Sequence, residues 1–135
     1  MNTPLVNVDV DDLGRGVDFY TRAFGLRVAR RLGKSVVELL GAATPIYLIE
    51  KPGGSAAASG LSQRRDYARH WTPVHLDFVV QDISAAVTRA QDAGARLEVD
   101  VRTENWGHIA HLADPFGHGF CLIQFLGRGY DEIAE

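Results

Sequence analysis

The chain repeats its pattern of structural signals at a fixed spacing, and this duplication restricts the fold more than any other feature. Asp12 and Asp82 lie 70 positions apart (82 − 12), and each stands immediately before an apolar stripe with helical spacing. Gly25 and Gly94 follow the two stripes, and glycine is the commonest residue just past the end of a helix. Each half of the chain therefore predicts one helix with an aspartate cap and a glycine stop.

Alternating apolar residues predict strands on both sides of each helix. Val6, Val8 and Val10 alternate before the first helix, and residues 74–80 form the matching strand in the second half. Three more strands are expected after each helix, at residues 26–32, 35–40 and 46–50, and again at residues 96–101, 108–113 and 120–126. We therefore predict an α+β fold: two βαβββ modules forming a curved, mixed eight-stranded sheet, with helices outside and a cleft inside.

The stretch between the two modules has a different composition. Residues 51–73 are rich in glycine, serine and alanine and predict a linker, which at this length is usually functional or mobile. We expect one domain over residues 1–135, with module one at about 4–50, module two at about 74–126 and a tail at 127–135.

Composition and charge exclude several classes of function. Hydrophobic residues make up 46% and charged residues 23% of the chain, as is normal for a globular domain. The formal net charge of −3 and the lack of a Lys/Arg run argue against a nucleic-acid partner. The single cysteine, Cys121, excludes an intrachain disulfide and a CxxC zinc motif. No membrane-spanning run or secretion signal is visible, so we expect a cytoplasmic protein with no membrane partner.

Three motifs in order resemble those of the vicinal oxygen chelate superfamily, which includes glyoxalases, bleomycin-resistance proteins and extradiol dioxygenases. The pattern DL…FY…FGL at residues 12–26 is similar to the family's opening, and VHLDFVV at residues 74–80 is similar to the start of its second module. ADPFGH at residues 113–118 is similar to its DPxGN turn. The resemblance implies the duplicated fold, but it does not select a function, because this scaffold hosts several unrelated activities.

The resemblance also implies four metal-ligand positions, one on the first and one on the last strand of each module. Carried over by motif, these positions are Leu5, Tyr47, His75 and Cys121. Only His75 is a standard ligand, since leucine has no donor atom and tyrosine binds Mg²⁺, Mn²⁺ or Ni²⁺ poorly. Cys121 could bind a softer ion such as zinc. We therefore predict a degenerate metal site and no cofactor. If a divalent metal is bound after all, His75 is its first ligand, and Glu50 or Cys121 is less favoured.

Glu50 and Gln124 are potential ligands close to those positions. Each lies three residues from a carried-over position, Tyr47 in the first module and Cys121 in the second. An odd spacing on a strand directs a side chain to the opposite face of the sheet. Both residues are therefore expected to point away from the cleft.

Strand alternation defines the residues expected to line the cleft. Counting from Leu5 places Asn7 inward, and counting from His75 places Asp77 inward. A lining of this kind is mostly apolar with a few directional polar groups, which is the usual composition of a small-molecule pocket. The predicted ligand-binding residues are Asn7, Tyr47, His75, Asp77, Trp106, His111 and Cys121.

The favoured function is a bleomycin-resistance-like protein that binds an apolar or aromatic metabolite or drug in the cleft. The alternative is a divalent-metal-dependent lyase, isomerase or dioxygenase that uses His75. A further hypothesis sets the Cys121 thiol beside the His75 imidazole, which would lower the thiol pKa and create a nucleophile. The resemblance also implies a homodimer, to which the tail could contribute; a frayed terminus is the other interpretation of the tail.

Overall fold

Each half of the chain folds as a strand, a helix and three more strands. The computed structural model describes residues 1–135. The first half contains β1 (Val6–Val10), α1 (Leu13–Phe24), β2 (Arg27–Leu32), β3 (Val36–Leu40) and β4 (Ile46–Glu50). The second half contains β5 (Leu76–Val79), α2 (Ile83–Ala93), β6 (Arg96–Glu104), β7 (Gly107–Ala113) and β8 (Gly119–Phe125), followed by a 3₁₀ turn at Gly129–Glu132.

The eight strands are hydrogen-bonded as two four-stranded mixed sheets. Their strand orders are β1-β4-β3-β2 and β5-β8-β7-β6. In each sheet the first and last strands of the module, β1 with β4 and β5 with β8, run parallel, and the other pairs are antiparallel. The α+β fold class and the two βαβββ modules are confirmed. The chain divides into two compact units, Met1–Ala68 and Arg69–Glu135, which we describe separately.

Both helices begin and end where the sequence predicts. The Asp12 side chain accepts a hydrogen bond from the Arg15 N–H at 3.0 Å, and the Asp82 side chain accepts one from the Ala85 N–H at 3.1 Å. An N-cap of this kind satisfies one of the free N–H groups of the first turn. Gly25 and Gly94 are the C-cap residues of α1 and α2.

Each helix covers one face of its own sheet and buries the apolar side chains there. In the first unit Gly16 of α1 lies close to Val10 and Leu48, which are both fully buried. In the second unit Leu112 and Leu122 are buried on the corresponding face. Truncating one such leucine to alanine costs about 2–5 kcal/mol. We call the opposite face of each sheet its helix-free face.

The predicted linker is an ordered loop without strands or helices of its own. Its two arms are joined by backbone hydrogen bonds, Gly54 N–H to Arg65 O and Arg65 N–H to Ser55 O, both at 2.8 Å. The Tyr67 hydroxyl donates to the Lys51 carbonyl at 2.7 Å. Residues 51–68 therefore belong to the first unit, and the boundary between the units falls inside the predicted linker.

Two further sequence predictions were the turn at residues 114–117 and the lack of a membrane-spanning helix. The Gly117 N–H donates to the Asp114 carbonyl at 3.3 Å, which closes the predicted turn of the second module. Neither helix is both long and apolar enough to pass through a bilayer.

Candidate functional site

Strand register places most of the predicted first-module residues on the helix-free face of the first sheet. Asn7 pairs with Tyr47, and Tyr47 pairs with Glu38 on the neighbouring strand. Directly paired residues point to the same side of a sheet, so these three side chains form one row across it. Asp9 lies two residues after Asn7 and shares the same face. The sequence predicted Asn7 and Tyr47 here but did not single out Glu38.

Glu38 is held by two partners on this face. The Arg30 guanidinium donates to both carboxylate oxygens, at 2.8 and 2.7 Å, and the Tyr47 hydroxyl donates to Glu38 Oε2 at 2.7 Å. Arg30 first, and then Tyr47, lowers the pKa of the Glu38 carboxyl group from 4.5 to about 2. The hydrogen bond to Glu38, followed by burial, raises the pKa of Tyr47. The Tyr47 hydroxyl is therefore already engaged within its own unit. The sequence signal for the Glu38 group was a single carboxylate in the otherwise apolar strand at residues 36–40.

Asp9 and Arg65 anchor the ordered loop to the first sheet. Arg65 Nε lies 2.7 Å from Asp9 Oδ2, and the same guanidinium donates to the Ala56 and Ala57 carbonyls. Charge-assisted hydrogen bonds from a largely buried arginine hold a loop more firmly than exposed pairs do. The loop thus has a fixed contact with the strand that also carries Asn7.

The helix-free face of the second sheet brings together most of the predicted site. Asp77, Cys121 and His111 occupy paired positions on β5, β8 and β7. His75 lies two residues before Asp77, and its Nε2 is 3.2 Å from Asp77 Oδ1. One ligand atom from each of His75, Asp77 and Cys121 lies within 4.8 Å of the others. The two modules correspond in register, since Asp77 pairs with Cys121 as Asn7 pairs with Tyr47.

Cys121 lies in an apolar setting that keeps its thiol protonated. Its side chain is only 2% exposed and packs with Ile109 and Ile123. Burial, followed by the charge and hydrogen bond of Asp77, raises the pKa of the Cys121 thiol from 9.0 to about 12. The hypothesis that His75 lowers this pKa and makes a nucleophile is therefore wrong. The two side chains do converge, but desolvation and a neighbouring carboxylate both disfavour the thiolate.

His111 has an unusual environment for a polar side chain. Its Nε2 atom is buried and has no hydrogen-bond partner among the protein atoms. Burial first, and then Arg102, lowers the pKa of His111 below its ordinary value of 6.5. The ring is therefore neutral at physiological pH, with one nitrogen in need of a partner.

Trp71 and Arg69 form a part of this face that the sequence did not predict. The Trp71 ring meets His75 and His111 edge to face, with centroids 5.1 and 5.8 Å apart. Arg69 lies 4.6 Å from the Trp71 ring centroid and donates to both carboxylate oxygens of Glu98, at 2.6 and 2.5 Å.

Both side chains lie directly over Gly119 of β8. A Cβ built on Gly119 would be 2.7 Å from the Arg69 guanidinium and 2.8 Å from the Trp71 ring. Only glycine lets the two side chains approach the sheet this closely. The sequence pattern did not single out Trp71, and its only signal was a tryptophan near the end of the predicted linker.

Trp106 packs onto the same face near the other end of β8. It lies against the cluster of Ile109, Cys121 and Ile123, and its ring is 5.2 Å from that of Tyr130. Tyr130 belongs to the tail, which therefore makes an aromatic contact at this position and is not frayed there. The structure brings Trp106 to the predicted site, where it also has a packing role.

Glu50 and Gln124 point away from these faces, as the odd spacing predicts. Each accepts a hydrogen bond from the first backbone N–H of a helix, Leu13 at 2.8 Å and Ile83 at 2.9 Å. Their oxygen atoms therefore face the helices and are not available as ligands on the helix-free faces.

The four positions that the resemblance implies do not fit a hard divalent metal. Leu5 is exposed and has no donor atom, and the Tyr47 hydroxyl is bonded to Glu38. The Cys121 thiol would have to lose a proton against a pKa of about 12. Hard cations such as Mg²⁺ and Mn²⁺ take oxygen ligands, which only Tyr47 could supply among these positions.

Curated relatives match most of this chain, and the chain spans a smaller share of their own length. The chain is 30% identical over 118 residues to an uncharacterised protein of Mycobacterium tuberculosis, covering 85% of this chain and 69% of that one. It is 29% identical over 130 residues to the anthracycline biosynthesis protein DnrV of Streptomyces peucetius, covering 96% of this chain but only 43% of DnrV.

Solved structures share the fold at low sequence identity. The fosfomycin resistance protein FosX of Listeria monocytogenes matches with a TM-score of 0.71 at 19% identity, over 99% of this chain and 98% of that one. TnmS3, an antibiotic-binding protein of Streptomyces sp. CB03234, matches with a TM-score of 0.65 at 24% identity, over 93% and 97%. The family model for a glyoxalase-like domain matches residues 5–123. With its duplicated βαβββ modules, the chain belongs to the glyoxalase-like domain family of the vicinal oxygen chelate superfamily.

Proposed function

We propose that this protein binds an apolar or aromatic small molecule on the helix-free face of the second sheet, without the four-position metal site. The observation that carries the proposal is the position of Trp71, which stands edge to face with His75 and His111. Beside these rings lies an apolar floor formed by Ile109 and Ile123. An aromatic ring beside an apolar floor and a few polar groups is suited to a flat ligand.

Exposed apolar side chains on this face support the proposal. Trp71 is 45% exposed and Val79 is 61% exposed, which leaves apolar surface on this face that a ligand could cover. His75 and Asp77 are both partly exposed and could supply hydrogen bonds that orient the ligand. Asn7 and Tyr47 remain predicted ligand-binding residues of the first unit's own helix-free face, Tyr47 through its ring since its hydroxyl is engaged.

Two relatives support this ligand class. TnmS3 is described as an antibiotic-binding protein, and DnrV as an anthracycline biosynthesis protein. A drug or metabolite with a planar aromatic core would suit the rings of Trp71 and His111. This chain spans less than half of DnrV, so the activity of DnrV as a whole does not transfer to it.

The metal-dependent lyase, isomerase or dioxygenase has less support. A FosX variant has been crystallised with Mn(II) and a phosphonic acid, and it matches this chain with a TM-score of 0.68 at 19% identity. In this chain His75 is the only standard ligand among the four carried-over positions. The proposal therefore assigns His75 to ligand binding.

Fluorescence titration with an anthracycline such as daunorubicin, in the presence of EDTA, tests the proposal. The chain has two tryptophans, so Trp106→Phe leaves Trp71 as the only tryptophan reporter. We expect saturable quenching of Trp71 in that variant. Because Trp71→Ala removes the reporter, its affinity is compared by isothermal titration calorimetry with Trp106 retained, and we expect a loss of at least about tenfold, since an aromatic anchor contributes more than about 1.4 kcal/mol. Leu61→Ala, which alters an exposed side chain of the loop, is the matched control. Equal affinity for Trp71→Ala and Leu61→Ala would exclude this site.

We also propose a cytoplasmic homodimer. Leu126 and Ile133, which flank the tail aromatic Tyr130, are exposed apolar residues that a partner subunit could cover. Light scattering at micromolar concentration should give twice the mass of the 14.8 kDa chain, and Leu126→Glu should shift the protein towards the monomer. A monomer mass for the unmodified protein rules out the dimer.

A further inference from the structure

We propose that the ligand carries an aromatic hydroxyl group, and that His111 selects this group by a hydrogen bond at its buried Nε2 atom. This selection rests on the proposed function, because the aromatic ring of the ligand lies on the same helix-free face of the second sheet. It adds the chemical class of the ligand and the residue that recognises it.

The Nε2 atom of His111 is a buried polar atom that the protein leaves unsatisfied. It has no hydrogen-bond partner among the protein atoms. Burial, followed by the charge of Arg102, lowers the pKa of the ring, so the ring is neutral at physiological pH. An unpaired buried polar group costs free energy, and a ligand that supplies the missing partner binds more tightly than one that does not.

The charged side chains around His111 have other partners. Arg102 Nε donates to Glu104 Oε1 at 3.0 Å, and His75 Nε2 lies 3.2 Å from Asp77 Oδ1. Arg102, Asp77 and His75 interact with His111 through their charges and not through a hydrogen bond. The partner of Nε2 is therefore left to a molecule from outside the chain.

The first module provides an internal comparison. Glu38 pairs with Tyr47 in the first sheet as His111 pairs with Cys121 in the second, so Glu38 and His111 occupy corresponding positions. Both carboxylate oxygens of Glu38 accept hydrogen bonds from within the protein, from Arg30 and Tyr47. The polar group at this position is thus satisfied internally in one module and unsatisfied in the other.

A hydroxyl group fits the chemistry of Nε2. A neutral imidazole carries its hydrogen on one of its two nitrogens, and a hydroxyl can pair with either form because it both donates and accepts. Ile109, which belongs to the apolar floor, lies two residues before His111 on β7 and shares its face. An aromatic ring on that floor can therefore direct a hydroxyl in its own plane towards His111.

Trp71 can make room for such a ligand without a change of the backbone. Its ring meets that of His111 with centroids 5.8 Å apart, is only half-buried, and belongs to no strand or helix. The residue before it is fixed, since the His70 N–H donates to the Gly117 carbonyl at 2.9 Å and His70 Nε2 lies 3.0 Å from His118 Nδ1. Rotation of the Trp71 side chain is therefore sufficient to open the face beside His111.

Calorimetric titration with 7-hydroxycoumarin and with unsubstituted coumarin tests the selection. The two flat probes differ by one hydroxyl group. At neutral pH, with EDTA present, we expect 7-hydroxycoumarin to bind at least about fivefold more tightly, because a net hydrogen bond of about 1 kcal/mol corresponds to about a fivefold change in affinity. Equal affinities for the unmodified chain would overturn the proposal.

One variant and a control identify the residue. His111→Phe keeps an aromatic ring and removes both nitrogens, and it should fold because Nε2 makes no hydrogen bond within the protein. The preference for 7-hydroxycoumarin should disappear in this variant. It should persist in the control His108→Gln, which changes a β7 histidine that bonds to Thr103. A preference that survives His111→Phe contradicts the proposal.

Nuclear magnetic resonance of the unmodified chain gives a second readout. With ¹⁵N-labelled histidine, the ring nitrogen resonances of His111 should move much further with 7-hydroxycoumarin than with coumarin. The same small movement for both probes at saturation would contradict the hydrogen bond, even if His111→Phe does not fold.

The proposed function and the selection by His111 fail separately. Daunorubicin binding that depends on Trp71, together with equal affinities for the two coumarins or no binding of either, keeps the proposed function and removes the selection. Loss of daunorubicin binding and of binding to both coumarins removes the two proposals together.

Discussion

The Glu50 carboxylate accepts a hydrogen bond of 2.8 Å from the backbone N–H of Leu13, the first residue of α1. Gln124 makes the corresponding contact with Ile83, the first residue of α2, at 2.9 Å. The duplication therefore extends from the order of the elements to individual side-chain contacts. It also explains why both residues turn away from the helix-free faces, where a metal or ligand would need them.

Replacing Glu50 should test how much this contact stabilises α1. Glu50→Leu leaves the Leu13 N–H without its acceptor and removes a negative charge near the helix N-terminus, so we expect a loss of about 1–2 kcal/mol. Glu50→Gln keeps an acceptor, as Gln124 does in the other module, and should lose less. Urea denaturation measures both. A Glu50→Leu protein as stable as the unmodified chain would show that the contact contributes nothing.

The Glu38 group predicts how stability depends on acid pH. The pKa of the Glu38 carboxyl group is about 2 in the folded protein and 4.5 in the unfolded chain, so folding favours the charged form. This contribution is fully present above pH 4.5 and is lost as the pH falls towards 2. Thermal midpoints measured across that range should fall more steeply for the unmodified protein than for Glu38→Gln. Parallel slopes for the two proteins would be inconsistent with the pairing to Arg30 and Tyr47.

The buried thiol predicts slow chemical modification. A pKa raised from 9.0 to about 12 lowers the thiolate fraction about a thousandfold below pH 9. Iodoacetamide should therefore label Cys121 at least about a hundredfold more slowly in the folded protein than in denaturant, when both are measured with EDTA present. Rapid labelling of the folded chain at neutral pH would instead restore the activated-thiol hypothesis.

Gly107 opens β7 at a position where no side chain fits. A Cβ on this residue, whose φ is 157°, would lie 2.2 Å from the Gln124 carbonyl oxygen of the paired strand β8. Gly107→Ala should therefore destabilise the protein by at least about 2 kcal/mol. The control is Gly14→Ala in α1, where the nearest atom is 3.5 Å away and the change should stabilise by about 0.5–1 kcal/mol. Denaturation midpoints that move in the same direction would refute this distinction.

Element boundaries were predicted well where they depend on neighbouring residues. Asp12 and Asp82 cap their helices because a cap needs only a side chain three residues from the N–H that it accepts. Strand ends were predicted less well, since they depend on the partner strand. The sixth strand was expected to end at residue 101, but pairing of Glu104 with Gly107 extends it to 104.

Side-chain phase along a strand was also visible in the sequence. Alternation predicted that His75 and Asp77 share a face and that Glu50 and Gln124 do not, because the period of a strand is two residues.

The sequence by itself determined the duplicated order of elements, the helix caps and the face on which each strand residue lies, because these follow from local spacing. Only the tertiary structure decided which distant side chains meet. Arg69 and Glu98 are 29 residues apart, and Asp9 and Arg65 are 56 apart, so no periodic pattern connects them. The same holds for the raised pKa of Cys121, which is produced by burial and by Asp77 on a neighbouring strand.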